Sequence, residues 1–178
     1  IALTCFGDPA LLALKEIARQ PVIGMAEASC LTAAALGGRF GIVTGGERWG
    51  PMLAEFLAMI GLGDRLAVIK TVAPTGADIA RDPDRSLDLL AEACTSAARD
   101  HDADTVILGG AGLAGLAPRI ASQVPVPLID SLVASVRMGE QLANARLGKA
   151  HVGSFSATPA VETVGLGAAL AELMRRSH

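Results

Sequence analysis

An α/β fold built on parallel sheets is what the sequence predicts, and three features carry the prediction. Short apolar runs of strand length alternate with longer helical patterns along the chain, as in βαβ units whose sheets are covered by helices on both faces. Glycine-bearing turns follow three of the strands, after Thr4, Thr44 and Leu108. One stretch also echoes another. Pro21-Val22-Ile23-Gly24-Met25-Ala26-Glu27-Ala28-Ser29 aligns with Pro127-Leu128-Ile129-Asp130-Ser131-Leu132-Val133-Ala134-Ser135, and the turn at Cys5 aligns with Gly109-Gly110 once one inserted residue is allowed. Any two βαβ units share some of this pattern. Here each copy reads strand, tight turn, helix, Pro-led strand, helix.

In order, Ile1 to Thr4 is the first apolar run, followed by a glycine turn and a helical pattern from about Pro9 to Ala18. Pro21 to Gly24 is a short strand, and Glu27 to Leu36 a helix stopped by Gly37-Gly38. Arg39 to Thr44 is a strand ending at Gly45-Gly46, Trp49 to Ile60 a helix ending at Gly61, and Leu66 to Val72 a strand. Asp82 to Asp100 is a long helix, with Asp82 as its cap and Pro83 at its first position. Thr105 to Leu108 is a strand, and Leu113 to Gln123 a helix. Val126 to Ile129 is a strand, Ser131 to Arg146 a helix, Ser154 to Val164 irregular, and Leu166 to Arg176 a last helix.

Composition narrows the function. Apolar residues make up 51% of the 178, enough for a core, but aromatics only 3%, so the core is aliphatic. With so few stacking rings, a net charge of −3 and no basic block, nucleic acid is not an expected partner, nor is an anionic membrane. Mean hydropathy is +0.46. Yet the longest charge-free apolar stretch, Thr105 to Pro118, is broken by four glycines and is shorter than the roughly 20 residues that span a bilayer. No signal peptide is visible. Cys5, Cys30 and Cys94 are odd in number and widely spaced, which argues against a disulfide framework and for a reducing cytoplasm. His101, His151 and His178 stand alone, so no metal is expected.

In such folds ligands bind beyond the C-terminal ends of the strands. Cys5, in Thr4-Cys5-Phe6-Gly7-Asp8-Pro9, ends a strand and precedes the helix expected near Pro9, a placement that favours thiolate. Gly7 lets a ligand approach the backbone. A small buried apolar thiol is the competing reading for Cys5, and the stronger one for Cys30 and Cys94, which lie inside helices. Asp8 reads first as a cap for the helix beginning at Pro9, and Glu27 as a helix-start charge. Thr44-Gly45-Gly46 offers a hydroxyl and backbone N–H groups suited to a carboxylate or amide, without the lysine of a phosphate loop. Gly109-Gly110-Ala111-Gly112 shares part of a dinucleotide fingerprint, but it falls late in the chain, so no cofactor is expected.

These motifs resemble the aspartate/glutamate/hydantoin racemase superfamily over nearly the whole chain. Cys5-Phe6-Gly7-Asp8-Pro9 is similar to the first cysteine motif of hydantoin and allantoin racemases, and Pro21 to Ser29 to the segment that follows it. Thr44-Gly45 looks like that family's substrate-binding strand end, Val106 to Gly115 like its second cysteine motif, and Pro127 to Ser131 like the segment after that. The resemblance implies two similar three-layer lobes with the site in the cleft between them. These would be residues 1–38 plus 130–178, and residues 39–129. It implies cofactor-independent racemisation of an amino-acid derivative or hydantoin-like compound. A cysteine from each lobe faces one side of an acidic carbon; one thiolate removes the proton and the other thiol returns one. Cys5 is the expected catalytic residue. Phe6, Gly7, Asp8, Thr44, Gly45, Gly109, Gly110, Ala111 and Gly112 are expected to bind a small carboxylate- or amide-bearing substrate, and association into a homo-oligomer is left open.

Two departures qualify this. Gly110 stands at the second cysteine position and has no side chain to move a proton. The family also has a strand–helix–strand region before its first cysteine, whereas this chain opens almost at Cys5, so the first lobe's sheet is expected to be short of strands. Two alternatives therefore stay open beside racemisation. One is a one-cysteine decarboxylase of the arylmalonate type, in mirror arrangement. The other is a ligand-binding homologue without catalysis.

Overall fold

The structure is a computed structural model that describes residues 1–72, 75–156 and 159–175. Two parallel sheets organise it. Strand β1 (Ala2–Leu3) pairs with β2 (Ile23–Gly24), joined by α1 (Leu11–Ile17). The larger sheet has the order β4-β3-β5-β6, from β3 (Phe40–Gly45), β4 (Leu66–Val72), β5 (Thr105–Gly109) and β6 (Leu128–Asp130), all pairs parallel.

All six residues of β3 and all five of β5 are buried, as expected for strands covered on both faces. Successive side chains alternate between two cores. Val43, Val106 and Leu108 pack with Leu90, Cys94 and Ala97 of α5 (Pro83–His101) and Ile120 of α6 (Ala117–Ile120). On the opposite face Ile42 and Ile107 meet Met25, Cys30 and Ala33 of α2 (Met25–Leu36), with Leu53 and Leu57 of α3 (Trp49–Met59). Helix α7 (Ser131–Asn144) lies against α2, and α8 (Ala168–Arg175) ends the described chain. The end expected for that last helix, Arg176, and His178 lie outside the described residues.

Local chemistry explains where the elements differ from the sequence reading. α1 begins at Leu11 rather than Pro9, because Asp8 and Ala10 adopt positive φ (51° and 59°) and turn the chain first. The helix expected over Leu113 to Gln123 is broken into two 3-10 turns flanking one α-helical turn. Gly115 (φ 80°) interrupts it, and Pro118 sits just inside the new start. An unanticipated helix, α4 (Gly76–Arg81), is announced by Thr75 and Asp78, a reciprocal cap in which the Asp78 N–H donates to Thr75 Oγ1 at 3.3 Å and the Thr75 N–H to Asp78 at 3.2 Å.

The echo in sequence becomes a geometric one. β2 runs into α2 through the cap residue Gly24, and β6 runs into α7 through the cap residue Asp130. Leu3 pairs with Gly24 and Leu108 with Asp130. Cys5 and Gly110 each lie two residues beyond the residue paired with a cap.

Ile107 is fully buried at the centre of the sheet. Ile107→Ala is expected to destabilise the fold by about 2–5 kcal/mol, the sum of lost transfer energy and a cavity between packed helices. Denaturant unfolding of both forms measures it.

Candidate active site

The strand order reverses between β3 and β5. The chain leaves β3 toward β4 on one side and returns to β5 on the other. Such a switch point opens a crevice at the strands' carboxyl ends. Thr44 pairs with Gly109 there, and beyond the ladder the Thr44 hydroxyl donates to the Gly109 carbonyl at 2.7 Å.

A cavity of about 320 Å³ opens at this place. It gathers Cys5 and Phe6 from the turn after β1, Thr44 and Gly45 from β3, and Gly109, Gly110, Ala111 and Gly112 from the turn after β5. The sequence reading missed Thr4, Trp49, Ala77, Ala80 and Leu113, which complete the lining. Trp49, the only tryptophan, follows Thr44-Gly45-Gly46 closely enough to have been found. Ala77 and Ala80 arrive on α4, whose cap was the available signal. None of the described residues that line it is charged.

Gly7 and Asp8 were also expected to bind substrate; neither lines this cavity. They border a separate cavity against α1 and α3. A Cβ on Gly7 would come within 2.9 Å of the Trp49 ring, so Gly7 serves the packing of the turn. Asp8 is buried, and it caps α2 rather than the helix that follows it. Its Oδ1 accepts from the Ala26 N–H at 3.1 Å and its Oδ2 from the Glu27 N–H at 2.7 Å. Burial pushes the Asp8 carboxyl above the usual carboxylate value; the backbone N–H groups of Glu27, Ala26 and Met25 oppose the rise, and the Glu27 charge adds to it. Glu27 itself pairs with Lys15, and the Gly24 N–H donates to its carboxylate at 3.3 Å.

Cys5 is exposed, whereas Cys30 and Cys94 are buried. α1 starts only at Leu11, six residues beyond Cys5, rather than near Pro9 as expected. Desolvation raises the Cys30 thiol far above its ordinary value, with the Asp8 charge adding to it, and pushes the Cys94 thiol up to about 12.

Opposite the cysteine turn, Gly110 holds φ 138° and ψ 143°, a conformation that L side chains rarely adopt. A Cβ there would meet nothing closer than Leu113 Cγ at 3.8 Å and Thr44 Oγ1 at 4.0 Å. Its N–H donates to Ser131 Oγ at 3.1 Å. The N–H groups of Ala111 and Gly112, at the start of a 3-10 turn, find no acceptor among the described residues. Such paired donors suit an oxygen on which charge develops.

A model of the Asp/Glu/Hydantoin racemase family matches residues 1–139. This chain belongs to that family. The hydantoin racemase of Pseudomonas sp. (strain NS671) is 34% identical over 147 residues, covering 83% of this chain and 58% of that protein. The hydantoin racemase of Paenarthrobacter aurescens is 34% identical over 140 residues, 79% of this chain and 59% of that protein. The chain thus spans less than two thirds of the length of both. Among solved structures, the allantoin racemase from Klebsiella pneumoniae superposes with a TM-score of 0.85 at 29% identity, over 97% of this chain and 69% of that one. The allantoin racemase from Pseudomonas fluorescens gives 0.86 at 25% identity, over 92% and 70%. A glycine-to-cysteine variant of arylmalonate decarboxylase, at 21% identity, shares the fold with a TM-score of 0.63 over 86% of this chain and 72% of that one.

Among the described residues no helix is long and apolar enough to cross a membrane. The thiols make the site testable without a substrate. At about pH 8, alkylation followed by peptide mapping should label Cys5 first, with Cys30 and Cys94 reacting only after unfolding. Labelling of Cys94 ahead of Cys5 in the folded protein would remove Cys5 as the reactive group.

Proposed function

We propose that this chain serves a cofactor-independent racemase or epimerase of an amino-acid derivative or hydantoin-like compound, with Cys5 as the proton-transferring thiol. One observation carries the reading. Cys5 and Gly110 hold equivalent positions in two strand–turn–helix units and line one cavity. Chemistry that inverts a carbon needs a proton donor on each face, and two such units supply opposed positions. In this proposal the Cys5 thiolate takes the proton from the acidic carbon. The Ala111 and Gly112 N–H groups hold the oxygen that becomes enolate-like; return of a proton by the same thiol gives exchange with retention, and inversion takes a proton delivered from solvent to the opposite face, at the open Gly110 position, which is the slower step.

The uncharged lining supports a substrate bound by amide or imide groups rather than by a free carboxylate. Phe6, Trp49 and Leu113 suit an apolar substituent. The division into lobes of residues 1–38 plus 130–178 and 39–129, a cytoplasmic location and assembly into a homo-oligomer belong to the same proposal.

Gly110 favours a second reading, one-face chemistry. A decarboxylase of the arylmalonate type would use Cys5 to protonate the enediolate left by carbon dioxide, and release of carbon dioxide from an arylmalonate identifies it. Under the first reading, in D₂O, exchange of the substrate's acidic proton should outpace inversion by a factor on the order of 10², the contribution of a missing positioned acid. Cys5→Ala should abolish both. Equal exchange and inversion rates in the unmodified protein would end the single-thiol reading, and no exchange with any hydantoin-like compound would leave decarboxylation or ligand binding, which carbon dioxide release from an arylmalonate separates.

Gly110→Cys separates space from conformation. There is room for the thiol, but φ 138° is glycine territory. The variant should lose about 1–3 kcal/mol of stability and still raise inversion relative to exchange. Parallel denaturation and polarimetry check both parts.

A further inference from the structure

We propose that Asp8 is a positioning residue for Cys5. Seated across the first turn of α2, its carboxylate fixes the turn that brings the thiol to the cavity. The role given to Cys5 rests on the proposed function above; the lock rests on geometry alone.

A thiol that must meet one carbon needs placement to a fraction of an ångström, and loops supply that only when anchored. Cys5 is exposed, in a turn closed by the Asp8 N–H donating to the Cys5 carbonyl at 3.0 Å. The residue that ends this turn is 3% exposed and gives both carboxylate oxygens to α2, at the Ala26 and Glu27 N–H groups. A helix is ordinarily capped by its own N-cap side chain. Here the N-cap is Gly24, and a Cβ on it would lie 2.0 Å from Asp8 Oδ2. The cap seat is taken by a residue from the thiol's turn. An Asp or Ser at position 24 would cap α2 equally well and tether nothing.

The second unit makes the same connection with the acid on the other partner. Asp130, aligned with Gly24, caps α7 itself through Oδ1, while its Oδ2 accepts the Gly115 N–H at 2.6 Å. Ser131 holds the Gly110 N–H alongside. In both units the segment after the strand is bound to the N-terminus of the helix beyond it through a carboxylate, at the thiol's own turn in the first unit and at Gly115, just past the site turn, in the second.

The test uses the full chain and four variants: Asp8→Ala, Asp8→Asn, Gly24→Ala and the double Asp8→Ala/Gly24→Ala. Asp104→Ala is the control, since Asp104 likewise accepts two backbone N–H groups, those of Gly38 and Arg39, but away from the cavity. Two readouts are taken: the rate of Cys5 alkylation by iodoacetamide, and kcat and KM for proton exchange. Asp8→Ala and Gly24→Ala should each change the alkylation rate by about fivefold or more. Each should lower kcat by roughly tenfold to 10²-fold while KM stays within about threefold. The double variant should be no worse than Asp8→Ala, because the methyl added at position 24 then enters an empty seat, and Asp8→Asn should fall between native and Asp8→Ala. Asp104→Ala should lose stability without moving either readout.

Additive effects of Asp8→Ala and Gly24→Ala would overturn the proposal, as would a folded Asp8→Ala whose Cys5 reacts within about twofold of native. If Asp8→Ala does not fold, Asp8→Asn decides by the same alkylation criterion. If the native chain exchanges no proton, the functional reading falls, and the alkylation rates still decide the lock.

Discussion

The parallel pairing of β3 with β5 is the constraint on which the rest of the molecule hangs. Both strands are buried throughout, so their side chains must feed two cores at once, and each core needs its own helical cover. Helix α3 leaves β3 toward one face, and α5 approaches β5 across the other. That split reverses the strand order, and the reversal opens the crevice. The pairing persists past the ladder, where the Thr44 hydroxyl closes on the Gly109 carbonyl. Two strand ends that would otherwise splay are held together at the cavity floor.

The smaller sheet is joined to this floor by close approach. A Cβ on Gly109 would come within 2.3 Å of the Phe6 ring, so the ring rests on the backbone where β5 ends. Phe6 is 5% exposed, and burying such a side chain contributes about 1.5–3 kcal/mol. Gly7 admits the Trp49 ring in the same way. The glycines here act as surfaces against which aromatic rings pack, a role separate from turn flexibility. Cys5 therefore stands exposed on a turn whose next residue and last residue are both buried, Phe6 against the large sheet and Asp8 against α2.

Much of this was legible in sequence because it rests on periodicity and on punctuation by glycine and proline. The runs Arg39 to Thr44 and Leu66 to Val72 became strands within a residue of expectation, and Asp82-Pro83 opened α5 as a cap and first helical position should. The clustering of Cys5, Thr44 and Gly110 followed from the rule that strand ends converge. What failed was contact between distant segments. Asp8 reads as a local cap, since nothing in Gly7-Asp8-Pro9 says that a helix beginning at Met25 lacks a capping side chain. Gly24 held half of that information, but a glycine at an N-cap is commonplace by itself. Helix α4 was missed because six residues carry too little periodicity to outweigh the loop composition around them, although Thr75 and Asp78 marked its start. The uniform helix expected after Leu113 ignored Gly115, whose positive φ breaks it.

Gly110 shows where sequence and structure say different things about one residue. In sequence a glycine at a cysteine position reads as a deletion, a turn that has lost its thiol. In the structure the turn follows a path at φ 138° that a side chain would resist. Both polar groups of its backbone are engaged along that path, the N–H by Ser131 and the carbonyl by the Leu113 N–H at 3.0 Å. The absence of a side chain and the course of the backbone therefore support each other. Restoring a side chain moves φ, and moving φ draws the N–H off a hydroxyl that is itself buried at the start of α7. Space is not what resists, since the nearest atoms stand at van der Waals distance. The resistance lies in the hydrogen bonds tying this turn to the helix beyond it, which makes the bare backbone at position 110 a property of the connection between turn and helix as much as of one residue.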